Sequence, residues 1–259
     1  MKEFSIRRLG LLLRRDFSVG YRSVFIAMAA VGGFVILASL LSALGGQTGP
    51  IHFRMYFLLL FLGGYIVTSM IFKELHTGSQ NLVYLTLPGS SLEKYASKLL
   101  VSSLGYAAGS LLFYTAVSAA SEGLNRLIFD RGHELFNPFT RPVLLAVAVY
   151  LVTQAVFLVG SVYFRKLAFI KTNLVLGLYG LTVIFVVMLA VWILFRAYAA
   201  GTHFDLEPYF QRLGGSGELQ AELKPVAEKF LLAARVIFWA VTAPLCWIIG
   251  YLRLRETEV

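Results

Sequence analysis

The chain has 259 residues, of which 58% are hydrophobic and only 14% charged, and its net charge is +9. A soluble domain carries about 25% charged residues, so this composition excludes an ordinary soluble enzyme. The basic residues mostly flank apolar runs, which points to a membrane and away from a nucleic-acid partner.

The N-terminal segment, residues 1–22, is expected to be an amphipathic helix. At 100° per residue, Arg7, Arg8, Arg14, Arg15 and Arg22 fall on one arc, and Ile6, Leu9, Leu13 and Phe17 line the opposite one. Such a helix lies in the headgroup plane and enters the first span through an elbow. This polar stretch is too long for a cleavable signal peptide.

Six apolar runs follow, none containing Asp, Glu, Lys or Arg: Val24–Leu44, Met55–Phe72, Leu99–Ala120, Val143–Phe164, Leu174–Phe195 and Val236–Leu252. A bilayer core of about 30 Å needs roughly 20 helical residues, and backbone groups in lipid must be satisfied within the segment. The expected fold is all-α, a single transmembrane domain of six helices over residues 1–259.

The first connection is short, with Gly46, Gly49 and Pro50 as turn residues. The second, residues 73–98, carries Leu82–Leu87, then Pro88-Gly89, then Ser90 and Glu93 at the spacing of a helix capping box. Leu82–Leu87 is too short to span and is expected to pack against something in the cytoplasm. The third connection, Ser121–Arg141, reads as polar and outer. The fifth, residues 196–229, is long and polar and includes Gly214-Gly215-Ser216-Gly217.

Fourteen Lys and Arg residues lie on the N-terminal side of the predicted spans and nine on the other. The positive-inside rule therefore puts both termini in the cytoplasm. The predicted location is a cell membrane, multi-pass, of the bacterial inner-membrane type.

The chain has no phosphate-cradling Gly-rich loop, no dinucleotide fingerprint, no metal-ligand spacing and no nucleophile elbow. It is not expected to be an enzyme or to hold a cofactor. His52, His76, His133 and His203 fall in four connections and read as solvated loop residues. The lone Cys246 permits no intrachain disulfide. Spans without ionisable side chains argue against an ion-driven carrier. Gln154 is the sole amide in a span and is a candidate for the substrate path. Gly105-Tyr106-Ala107-Ala108-Gly109 would allow close helix approach, within the bundle or in a dimer.

The second connection carries a resemblance. Phe72-Lys73-Glu74-Leu75-His76-Thr77-Gly78, then Leu85-Thr86-Leu87-Pro88-Gly89-Ser90-Ser91-Leu92-Glu93-Lys94, then Lys98, resembles the cytoplasmic loop of ABC-2-type ABC-transporter permeases. Six spans, cytoplasmic termini and a basic N-terminal helix match in layout. The resemblance implies the transmembrane subunit of an ATP-driven exporter. It also implies a coupling loop, holding Glu74, Gly78, Pro88, Ser90, Glu93 and Lys94, that docks on a separate cytoplasmic ABC ATPase. The implied partners are that ATPase, which binds the ATP, a second permease subunit and membrane lipid. The family often has a short re-entrant hairpin between its fifth and sixth helices. Here the connection is long and acidic, and a small outer cap is expected instead. The rival reading is a non-transporting scaffold or regulatory anchor that recruits a partner through the same loop. Because Glu74 and Glu93 lie outside the lipid, folding is expected to depend little on either.

Overall fold

The computed structural model describes residues 4–45, 51–77, 84, 86–130, 134–199, 228–229 and 232–257. Every regular element among them is a helix, and six are long and apolar enough to cross a membrane. The protein is a multi-pass helical membrane protein.

The elements are α1 (Ile6–Leu44), α2 (Ile51–Met70), the four-residue α3 (Lys73–His76), α4 (Ser91–Phe129), α5 (Arg141–Tyr163), α6 (Ala168–Ala199) and α7 (Leu232–Thr257). The chain forms two compact units. The first holds residues 1–169 and 243–259, hence α1 to α5 and the Ala243–Thr257 part of α7. The second holds residues 170–242, whose described part is chiefly α6. The 196–229 connection lies mostly outside the described residues, although α6 itself runs on to Ala199.

No elbow separates the basic N-terminal turns from the first span. Ile6–Leu44 is one unbroken helix of 39 residues, with the apolar stretch at Gly20–Leu44. Gly20 alone costs only about 1 kcal/mol in a helix, and no proline interrupts the run. The preceding turns pack along the first turns of α4, with Leu12 buried. The face turned inward is the one bearing Ser5, Arg8, Leu12, Arg15 and Asp16. Ile6 and Phe17 are exposed, as are Arg7 and Arg14.

The α4 helix also outruns its sequence expectation. Its 39 residues extend about 58 Å at 1.5 Å per residue, well beyond a bilayer core. It ends at Asp130, whose backbone is left-handed (φ 50°). That conformation is tolerated by Asp more than by most residues.

Two apolar clusters stack along the first unit. Next to the N-terminal turns of α1, Phe72, Leu75, Tyr84, Tyr95, Leu158, Val162 and Leu254 pack together. Toward the opposite end, Tyr56, Leu60, Tyr114, Phe136, Val143 and Tyr150 form an aromatic-rich core with Val35 and Val117.

Close helix approach occurs at glycines other than those singled out by pattern. A Cβ on Gly64 would overlap the Tyr150 ring, and one on Gly250 would lie 2.6 Å from the Tyr95 hydroxyl. At Gly109 a Cβ would meet nothing within 4 Å. Three π-helical turns lie within the spans among the described residues, Leu59–Gly63 in α2, Val101–Gly105 in α4 and Ile237–Thr242 in α7. Such turns disturb the regular carbonyl ladder. A tyrosine from a neighbouring helix donates to each of the first two: Tyr106 Oη to the Leu59 carbonyl and Tyr150 Oη to the Ser102 carbonyl, both at 2.7 Å.

Candidate functional site: a charge cluster at the second connection

The connection between α2 and α4 is held to the bundle by a set of ion pairs. Glu93 stands in the first turn of α4, where the local sequence places it as the reciprocal partner of Ser90. The Glu93 amide donates to Ser90 Oγ (3.3 Å), and the Ser90 amide donates to Glu93 Oε2 (2.9 Å). The capping box read from sequence is thus present. The carboxylate also does something the spacing does not reveal. Its Oε1 accepts from the Ser5 amide (2.6 Å) and from Arg8 Nη2 (3.0 Å) and Nε (3.2 Å). Ser5 precedes the first turn of α1. One carboxylate therefore closes the positive, N-terminal ends of two helices at once.

Glu93 is fully buried, and this corrects the expectation that it matters little for folding. Burial of a carboxylate is costly unless it is paired and hydrogen-bonded, and every partner named above belongs to this chain.

Two turns further along, Asp16 of α1 meets Lys98 and Ser97 of α4. Lys98 Nζ lies 2.9 Å from Asp16 Oδ1, and Ser97 Oγ donates to Asp16 Oδ2 at 2.9 Å. Glu74 of α3 joins from the other side. Its Oε2 is 3.3 Å from Arg15 Nη1 and 3.7 Å from Lys98 Nζ. Arg15 also lies 3.6 Å from Asp16. Three cations (Arg8, Arg15, Lys98) thus balance three carboxylates (Asp16, Glu74, Glu93). The set ties α1, α3 and α4 together, and His76 adds α5 through a 3.0 Å contact between its Nε2 and the Ser161 carbonyl.

The other predicted positions separate by environment. Pro88 is exposed at the bend before α4. Lys94 is buried, its Nζ over the Tyr84 ring at 5.3 Å. Gly78 lies outside the described residues, as do Leu82, Val83 and Leu85. Of the apolar Leu82–Leu87 stretch, Tyr84 is buried in the chain's own cluster and Leu87 packs against it. These residues meet their own bundle, so their apolar character does not by itself require another protein. Gln154 stands apart in α5, fully buried, with no hydrogen-bond partner at its Oε1 or Nε2.

Sequence reasoning missed a second polar group at the opposite end. His52 is not a solvated loop residue. It is buried, with Nε2 2.7 Å from Glu122 Oε1. The signal was available: Ser118, Ser121, Glu122 and Asn125 recur at i, i+3, i+4 and i+7, the stripe of a helix face. The stripe straddles the end of the apolar run at Ala120, so hydropathy alone assigns Ser121, Glu122 and Asn125 to a connection.

No protein-family model matches the chain, and no curated protein or solved structure is significantly similar to it.

Proposed function

We propose that this chain is the transmembrane permease subunit of an ATP-driven ABC exporter. It would work with a separate cytoplasmic ATPase and pair with a second permease subunit. The observation that best supports the reading is the charge cluster of Asp16, Glu74, Glu93, Arg8, Arg15 and Lys98. A partner pressing on the 73–98 connection would push on α3 and α4 together, and the ion pairs would carry the displacement to α1. Both α1 and α4 run unbroken from these turns into their spans. A connection so fastened can transmit force, whereas a loose loop would absorb it.

Within this reading the residues divide their work. Glu93, Ser90 and Lys94 hold the loop in shape, since all three are engaged inside the chain. Glu74 and Pro88 retain exposed surface and are the better candidates for touching an ATPase. Gln154, with an unpartnered amide inside the bundle, remains the candidate for the substrate path.

The test is affinity purification of the chain from its native membranes, identification of any ATPase that co-purifies, and ATPase assay of the complex. The chain alone should hydrolyse no ATP, and the complex should. Glu74→Ala should leave expression near normal and lower substrate-stimulated hydrolysis by the complex. An ATPase that binds equally well to wild type and Glu74→Ala, with no stimulation of either, would favour the scaffold reading. Absence of any recruited ATPase would remove the permease reading.

A further inference from the structure

The register of α2 against α5 is fixed at two levels. A Cβ on Gly64 would overlap the Tyr150 ring. About two turns further on, Phe72 and Leu158 share the apolar cluster beside the N-terminal turns of α1. Tyr65 Oη and Thr153 Oγ1, 2.7 Å apart, join the same two helices. Residues four apart on a helix lie one above the other on one face. Thr68 follows Gly64 by four residues and precedes Phe72 by four. Gln154 follows Tyr150 by four and precedes Leu158 by four. The register therefore sets Thr68 and Gln154 at one level, between the two apolar clusters.

Both side chains are fully buried. Thr68 Oγ1, Gln154 Oε1 and Gln154 Nε2 have no hydrogen-bond partner among the described residues. The Tyr150 hydroxyl lies near Thr68 but outside hydrogen-bond geometry, and it donates to the Ser102 carbonyl at 2.7 Å. Polar side chains inside a membrane bundle ordinarily bond across helices. Others here bond back to their own helix, as Ser102 and Ser103 do to the Leu99 carbonyl. Thr68 and Gln154 do neither. An amide buried without a partner is costly, and at its level stands a hydroxyl in the same state.

The chemistry of the pair selects a ligand. The amide donates at Nε2 and accepts at Oε1, and the hydroxyl can do either. Neither side chain is charged, so the pair supplies no counter-charge for an ion. The match is a neutral molecule that both donates and accepts. Full burial of both residues limits its size to a few atoms. Water meets all of these conditions. A buried water ordinarily makes about three hydrogen bonds to groups of this kind.

We propose that Thr68 and Gln154 bind an ordered water molecule between α2 and α5. The water bonds the amide on one side and the Thr68 hydroxyl on the other, and the Tyr150 oxygen can accept a third bond. It links the two helices in the layer that separates the apolar clusters. Gln154 is also the residue assigned above to a substrate path. The water does not depend on that reading, because it follows from burial and hydrogen bonding alone.

The experiment is water-edited solid-state NMR of the full chain in lipid bilayers, labelled with 15N-glutamine on backbone and side chain. Comparison with Gln154→Met assigns the Gln154 signals. Magnetisation passes from water protons for a time too short to reach the Gln154 backbone amide, which lies within α5. The Gln154 side-chain amide should gain signal in that time. In Thr68→Val the hydroxyl is removed at nearly constant shape, and the gain should be lost. In Thr68→Ser it should persist. If Thr68→Val does not accumulate, Thr68→Cys takes its place. A thiol is a weak hydrogen-bond partner, so its gain should fall below that of Thr68→Ser. A wild-type side-chain amide that gains nothing would overturn the proposal, whether or not an ATPase co-purifies. So would a gain that the valine or cysteine variant leaves unchanged.

Discussion

Replacing Glu93 with alanine is the sharpest test of how the second connection is held. The side chain caps α4, worth about 1 kcal/mol for a residue of this kind. It also satisfies the Ser5 amide, a partly buried donor whose loss of partner costs about 1–3 kcal/mol. Arg8 is 34% exposed in its side chain, so its guanidinium can turn to water. That pair contributes no more than about 1 kcal/mol after solvent screening. Together the loss is about 3 kcal/mol. Glu74→Ala is the internal control. Its partners Arg15 and Lys98 both keep Asp16, at 3.6 and 2.9 Å, and the expected loss is below about 1 kcal/mol. The difference of about 2 kcal/mol is about thirtyfold in the unfolded fraction. Cys246 provides the assay. It is the single thiol, half-buried on the part of α7 that packs on the first turns of α4. Its reaction with a fluorogenic maleimide during heating in detergent reports opening of that packing. Glu93→Ala should open at clearly lower temperature than Glu74→Ala. Equal curves for the two variants would refute the assignment of Glu93 as the tie between α1 and α4.

Two further outcomes are expected. Gly64→Ala drives a methyl group into the Tyr150 ring and should destabilise the bundle by about 1–3 kcal/mol, while Gly109→Ala should be close to neutral; matching thermal shifts for the pair would contradict the packing described. In a Cys246→Ser background, Lys73→Cys should be shielded from an impermeant thiol reagent added outside intact cells and Glu134→Cys should react, both positions being exposed; the opposite labelling would reverse the orientation drawn from the charge count.

Much of the architecture is legible in the chain because lipid imposes a rule that residues obey one by one. A run such as Val143–Phe164 has no charge to hydrate and a backbone that only a helix can satisfy, so α5 follows without reference to any neighbour. The Ser90–Glu93 box is equally local, since its two partners sit within one turn. What the sequence does not specify is which charges meet. Glu93 and Arg8 are 85 residues apart, and His52 and Glu122 are 70 apart. Hydropathy puts His52 and Glu122 in connections because neither lies within an apolar run, and it leaves Arg8 and Glu93 on separate helical segments with no sign that they meet. Only the packing of α1, α2 and α4 decides otherwise. Hydropathy locates where a helix can remain in lipid, but the helix continues as far as its hydrogen bonds do. In α4 that means two further turns past Ala120, enough to carry Glu122 against His52. The tertiary structure thereby turns a loop histidine and a loop glutamate into a buried pair, because burial and charge are properties of surroundings and not of position in the chain.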